Sequence, residues 1–294
     1  MEAIFIILTG SLVAINCGLL GCFLVLRRMT MIGDAISHAV LPGIVTAFLI
    51  TGSRDSLGML VAAIITGVVT TFLIQFLQQQ GKLQSDASIG ISFTWLFALG
   101  IILLSSYAGQ VDLDQECVLY GEIAYVPIDL WILPSGLIMG PRPIFILLVV
   151  LGLVVFFIVF FYKELFITTF DPEYATSTGF KSLVWHYLLM GLVSIATVAS
   201  FESVGAILVV AFIVAAPATA YMLTDNLPKM LYLTVGIGII TAIGGYYLAM
   251  LLNSSIAGAM TIVAGCIFTT AFFFSPKSSF VVKNRQSRLF LKNK

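Results

Sequence analysis

The sequence predicts an all-α, polytopic membrane protein with eight to nine transmembrane helices, and three observations carry that prediction. Of its 294 residues, 60% are apolar and only 10% are charged, where a soluble domain carries roughly 25% charged residues. The mean hydropathy is +1.10. The apolar residues gather into runs close to the roughly 20 residues that a spanning helix needs. This composition excludes a soluble enzyme, a disordered chain and a disulfide scaffold; it does not exclude a membrane enzyme.

Charged or turn-rich stretches divide the apolar sequence into nine candidate spans. Ile4–Leu26 runs up to Arg27 and Arg28. No Lys or Arg precedes it, so it lacks the positive n-region of a cleaved signal peptide and is expected to stay. Met31–Ile50 contains Pro42, and Leu57–Leu77 ends shortly before Lys82. Ile89–Ser106 leads into an acidic loop, Tyr107–Trp131, carrying Asp112, Asp114, Glu116, Glu122 and Asp129. Leu130–Met139 is a weaker candidate, expected to be interfacial or re-entrant. Ile144–Tyr162 stops at Lys163, and Val184–Ala199 follows Lys181. Val204–Met222 comes after a tight turn at Glu202, Leu231–Leu252 after Lys229. Ala257–Phe274 closes the set, giving a membrane domain over 1–276 and a basic tail over 277–294.

The formal net charge is zero, so placement matters and total does not. With the N-terminus outside, nine crossings put 12 of the 14 basic residues on the cytoplasmic side, leaving only Arg54 and Arg142 outside. That is the positive-inside bias of multi-pass membrane proteins, and it places the C-terminus in the cytoplasm. The acidic loop then faces outward, either as a solvated connector or as a mouth that concentrates cations. No basic patch outside the tail fits nucleic acid. Cys17, Cys22, Cys117 and Cys266 show no metal-ligand spacing; the three in apolar runs read as small core residues.

Ionisable groups inside spans are costly and point to function. Asp34 and Glu202 are the acidic residues embedded in apolar sequence, and the two histidines are His38 and His186. Asp34 and His38 stand four apart, which puts both on one helical face about 6 Å apart along the axis. A carboxylate and an imidazole suit a divalent first-row metal. Ser37 lies beside His38 and is placed to orient it. Pro42 has no N–H, so the His38 carbonyl lacks its helical partner and is left for water or an ion. The other reading makes Asp34 a helix cap and His38 a satisfied core residue. Two ligands per chain are few, but two copies about a twofold axis supply two Asp and two neutral His. Their charge of −2 balances a divalent cation. Glu202 reads as a solvated turn or an outer gate, and His186, between Trp185 and Tyr187, as part of an interfacial belt.

Two inward segments are more than connectors. Phe170–Phe180 reads as a turn and then a short helix begun by Pro172 and stopped by Gly179. Ala216–Lys229 begins with a proline break at Pro217 and ends in a polar turn. No G-x-x-x-x-G-K-[ST] phosphate loop exists, so any ATP hydrolysis belongs to another subunit. Nor is there G-x-S-x-G or H-E-x-x-H machinery for a hydrolase. The chain is therefore not expected to be an enzyme.

At this point a resemblance enters. Arg27-Arg28-Met29, Gly33-Asp34…Ser37-His38…Leu41-Pro42-Gly43, Leu119-Tyr-Gly-Glu122, Asp171-Pro-Glu-Tyr-Ala175, Phe201–Ala211, Pro217, Asn253–Ala257 and Phe274-Ser-Pro276 occur in the order typical of one family. Along essentially its whole length the chain resembles the permease subunit of bacterial ABC importers for manganese, zinc or iron. The resemblance implies a type II importer architecture: two permeases, as a homodimer or heterodimer, around a central pathway. A cytoplasmic ATP-binding subunit and an extracytoplasmic metal-binding lipoprotein complete it. It implies that Asp34 and His38 are the translocation ligands, with no permanently bound cofactor. It also implies that Pro217–Lys229, with Tyr221, Thr224 and Asp225, is the coupling helix on the ATPase, with Asp171 and Glu173 nearby. Leu119–Glu122 resembles the manganese branch, so Mn²⁺ is the expected cargo, with Zn²⁺ or Fe²⁺ as alternatives. Glu202, Ser37 and Pro42 are the expected gating residues, in an alternating-access cycle. A proton-coupled secondary transporter and a membrane subunit that moves nothing remain as other readings.

Overall fold

The computed structural model describes residues 2–51, 56–107, 123–132 and 138–275. Within them, nine segments are long and apolar enough to cross a membrane, and they coincide with the nine expected runs. Span one is α1 (Glu2–Leu26). Span two is a pair, α2 (Ile32–Ala39) and α3 (Leu41–Thr51). Spans three and four are α4 (Ser56–Gln79) and α5 (Ser85–Tyr107). Span five is α6 (Arg142–Phe160), followed by two short helices, α7 (Tyr162–Phe170) and α8 (Pro172–Ser177). Spans six to nine are α9 (Ser182–Val204), α10 (Ala206–Leu223), α11 (Leu227–Leu252) and α12 (Ile256–Phe274).

The spans sort into an inner and an outer set. Half or more of the central window is buried in α1, the α2–α3 pair, α9 and α10 (50–61%), against 28–33% in the other five. Hydropathy follows the same division at its extremes: α6, the most apolar at 3.3, is outer, and the α2–α3 pair, the least apolar at 1.5, is the most buried. Lipid solvates an apolar face as well as a neighbouring helix does, so inner helices associate through small residues and interhelical polar contacts. The Asn16 amide of α1 donates to the Leu147 carbonyl of α6 at 3.1 Å, and Cys17 of α1 reaches the Ser200 hydroxyl of α9 at 3.5 Å. Cys17 and Cys22 are buried as expected; Cys266 faces outward, on the exposed side of α12.

Two expectations need correction. Leu130–Met139 is not a spanning helix in its described residues. It holds two short antiparallel strands, β1 (Leu130–Ile132) and β2 (Ile138–Pro141), with Trp131 opposite Gly140; ten residues are too few to span. Pro217 does not break its helix either: α10 runs unbroken through it. Lacking an N–H, Pro217 leaves the Ile213 carbonyl without its helical donor, and that oxygen lies directly against Gly21 of α1. A side chain at Gly21 would meet it and the Pro217 ring. The segment from Pro217 to Lys229 is therefore no separate helix. It is the end of α10, a turn at Thr224–Asn226, and the start of α11.

The turns explain the remaining boundaries. α1 ends in a Schellman motif: the Met29 N–H donates to the Leu24 carbonyl and the Arg28 N–H to that of Val25, with Arg28 left-handed at φ 58°. α9 and α10 meet at Gly205, whose φ of 82° and ψ of 165° are open essentially to glycine alone. As expected, α8 starts at Pro172 and is followed by Gly179 at φ 90°. Asp171 caps it, its Oδ1 accepting from the Tyr174 N–H at 2.9 Å. Arg54, Asp112, Asp114, Glu116, Cys117, Glu122, the Leu119–Glu122 motif, Pro276 and the tail 277–294 lie outside the described residues.

Candidate metal centre

Span two is packed against α4, α5, α9 and α10, and its depth follows from its neighbours. Gly33 lies against Ile213, well inside α10, and Ile36 lies beside Gly67 and close to Ser194, each near the middle of its helix. Asp34 and His38 are therefore carried near mid-depth of the bundle. Gly33, Ala35, Ile36, Ser37 and Ala39 are buried, whereas the side chains of Asp34 and His38 are 34% and 32% exposed. The helix turns only these two polar groups toward an open face.

Asp34 is not a cap. Met31 is the N-cap residue of α2 and has no side-chain capping bond; Asp34 falls in the first turn, where a carboxylate is favoured by the helix dipole. Its Oδ1 faces Nε2 of His38 at 3.6 Å, too long for a hydrogen bond. Two ligand atoms each about 2.1 Å from one ion lie roughly 3.0–3.4 Å apart at octahedral or tetrahedral angles, so the pair needs only a small adjustment to hold a cation. The His38 ring is walled by Phe93 and Phe97 of α5, both with centroids 6.1 Å away. These aromatic walls carry no sequence signature, because Phe93 and Phe97 are two of many apolar residues in α5. Among the described residues, no group of three His, Cys, Asp or Glu side chains could hold a metal ion; one chain brings two such ligands.

The expected helpers divide. Ser37 does not orient His38: its buried hydroxyl donates to the Gly33 carbonyl at 3.0 Å, the back-bonding usual for serine inside a helix. Pro42 sits at the start of α3, just beyond the α2–α3 break at Val40, whose carbonyl accepts from Gly43 at 3.0 Å and Ile44 at 3.1 Å. Glu202 is exposed in the last turn of α9. It stands about 24 Å along that helix from His186, at the opposite end of the bundle from Arg27.

At the Arg27 end, a cavity of about 440 Å³ joins Arg28, Phe170, Tyr221, Thr224 and Asp225. The α10–α11 turn and the end of α7 thus share one surface, while Pro217 is buried higher in α10. Asp171 and Glu173 are exposed on the adjoining α8. Sequence reasoning missed both α7 and the contacts of Arg27. The Arg27 guanidinium donates from Nε to Thr169 Oγ1 and from Nη2 to Thr168 Oγ1, each at 3.1 Å, and its Nη1 lies 3.4 Å from Nδ1 of His186. Burial pushes its pKa down to about 10, so it stays charged at neutral pH. Because arginine only donates, His186 accepts at Nδ1, a more specific role than the expected aromatic belt.

Among the described residues, nine apolar spans with an Asp–His pair at mid-depth, and short helices gathered at one end, define a polytopic helical membrane protein. The sequence profile of the ABC 3 transport family matches residues 3–275, and the chain belongs to that family. It is 50% identical over 279 residues to the manganese transport system membrane protein MntD of Bacillus subtilis, covering 95% of this chain and 94% of that protein. It is 42% identical over 281 residues to the zinc transport system membrane protein TroD of Treponema pallidum, covering 94% of this chain and 75% of that one. Among solved structures, PsaBC from Streptococcus pneumoniae in complex with Fab matches with a TM-score of 0.77 and 30% identity, over 95% of this chain and 94% of that chain.

Proposed function

We propose that this chain is the permease subunit of an ATP-driven importer of divalent metal ions, with Mn²⁺ as its principal cargo. The observation that carries the proposal is the Asp34–His38 pair, 3.6 Å apart on the open face of an otherwise buried helix. The manganese and zinc systems in the relatives' names support the cargo class. Two copies meeting on this face bring two Asp and two neutral His around one ion, with charge −2 against +2. Membrane insertion follows the basic residues: N-terminus outside, with the Arg27 end and the tail 277–294 after the membrane domain in the cytoplasm.

The cycle is alternating access. A metal-binding lipoprotein docks on the outer end, near Glu202, and releases the ion to the paired site. An ATP-binding subunit docks on the opposite end, on α8 with Asp171 and Glu173 and on the α10–α11 turn with Tyr221, Thr224 and Asp225. ATP binding and hydrolysis there shift the spans and open the site inward; the break at Val40–Pro42 is where span two bends.

The test is reconstitution of permease, ATPase and binding protein in vesicles, with metal-stimulated ATP hydrolysis and uptake compared across Mn²⁺, Zn²⁺ and Fe²⁺. Uptake that requires ATP and is largest for Mn²⁺ is expected. Uptake that survives ATP depletion in a proton gradient overturns the ATP-driven reading.

A further inference from the structure

Arg27 stands apart from the Asp34–His38 pair, yet it is a partly buried cation whose partners among the described residues are neutral: Thr168 and Thr169 of α7 and His186 of α9. Keeping a charge out of water is costly unless its hydrogen bonds are directed and satisfied. An apolar side chain would fill the same space without that cost. The guanidinium does what an apolar side chain cannot, since its planar fork ties three elements in one geometry. Thr168 is suited to receive it: its hydroxyl donates to the Glu164 carbonyl at 2.7 Å, leaving its lone pairs toward Arg27.

What is tied matters. Arg27 follows the last residue of α1 and opens the Schellman turn, a compact connection fixed by the Arg28 and Met29 backbone bonds. Only six residues separate it from Asp34. On the other side, α7 leads directly into α8 through Asp171, which ends one helix and caps the next. The Arg27 bonds therefore join the α7–α8 unit to the junction that begins the metal helix.

We propose that Arg27 is a positioning residue that transmits displacement of α7–α8 to the α1–α2 junction, and so to the helix carrying Asp34 and His38. The inference rests on α7–α8 being part of the ATPase-docking face. Packed networks of this kind carry coupling between distant sites when they have two arrangements. Here the arrangements are the outward- and inward-open states of span two.

The experiment uses the complete importer in lipid nanodiscs or vesicles and reads Mn²⁺ moved per ATP hydrolysed. Arg27→Gln is expected to co-purify with the ATPase and to hydrolyse ATP within about twofold of the parent, while Mn²⁺ per ATP falls about tenfold. Arg27→Lys, which keeps the charge but not the fork, is expected to restore part of the coupling. An unchanged ratio in Arg27→Gln overturns the proposal, as does a parallel loss of transport and hydrolysis at an unchanged ratio. If Arg27→Gln fails to fold, Thr169→Val removes one bond at a partly exposed position; it must still lower Mn²⁺ per ATP about twofold, and an unchanged ratio sinks the idea. Docking is tested apart: a Glu173→Arg variant that still binds the ATPase fully removes the docking reading, whereas the coupling ratio is measured only in complexes that have assembled.

Discussion

Nε2 of His38 stands 3.6 Å from Oδ1 of Asp34, one helical turn away on the same open face of α2. The distance is too long for a mutual hydrogen bond and close to what two ligands of one ion require. Both groups thus keep lone pairs for a third party. If that party is the transported ion, Asp34→Ala and His38→Ala each lower uptake by about 100-fold or more, at or beyond the upper end of the effect typical of outer-shell changes at metal sites. Asp34→Asn does the same, because it keeps the shape and removes the charge. Membrane insertion and ATPase co-purification stay at parent levels. Radiometal uptake in vesicles decides it, and near-normal uptake in both alanine variants removes the ligand assignment.

Proton competition follows from the same donor set. A metal takes the carboxylate and the neutral imidazole, so protons and metal compete for one pair. Uptake at sub-saturating Mn²⁺ is expected to fall as the pH is lowered and protons claim the two ligands, and to recover when Mn²⁺ is raised at the same low pH. Recovery distinguishes competition from acid damage to the complex. A low-pH loss that saturating Mn²⁺ does not reverse contradicts this account.

How much was legible beforehand differs by level. The nine spans were readable because membrane burial demands long apolar runs, and the four-residue spacing of Asp34 and His38 followed from helix geometry alone. The α8 helix was readable too, since Pro172 and Gly179 each impose a local backbone constraint. Two kinds of feature were hidden. Pro217 suggests a break, yet α10 runs through it with the freed Ile213 carbonyl packed against Gly21 of another helix, and nothing in the local sequence reports that contact. The partners of Arg27 lie 141 to 159 residues away, and α7 looks like a mere connector until those threonines are seen to face a guanidinium. Ser37 shows the converse, where adjacency to His38 suggested a role that back-bonding to Gly33 had already taken.

The inner helices should be intolerant of a single methyl group where backbones touch. At Gly21, an added Cβ would meet the Ile213 carbonyl and the Pro217 ring. Neither is the flexible end of a side chain, so α1 and α10 must separate. Gly21→Ala is expected to destabilise the permease by about 1–3 kcal/mol, the usual cost of overpacking. Gly205→Ala is expected to cost a similar about 1–3 kcal/mol for a different reason, backbone strain at its φ of 82° and ψ of 165°. Thermal unfolding in detergent should show both as lowered midpoints. Gly152→Ala on α6, where nothing lies within 4 Å of an added Cβ, should leave the midpoint unchanged or slightly raised.

Asp171 offers the last test, because its side chain has a defined local task. It accepts from the Tyr174 N–H at 2.9 Å and so holds the first turn of α8, a helix of only six residues. So short a helix has little intrinsic stability. Asp171→Ala removes the cap at about 1 kcal/mol, enough to fray α8 without disturbing the spans. Amide exchange over 172–177 should quicken while exchange in α9 and α10 is unchanged. If α8 is part of the ATPase surface, affinity for that subunit weakens about 3–10-fold, in step with the cap energy. Asp171→Asn or Asp171→Ser, which keep a capping oxygen, should restore both the slow exchange and the affinity. Restored exchange without restored affinity would show that the carboxylate itself, and not the folded helix, is what the partner reads.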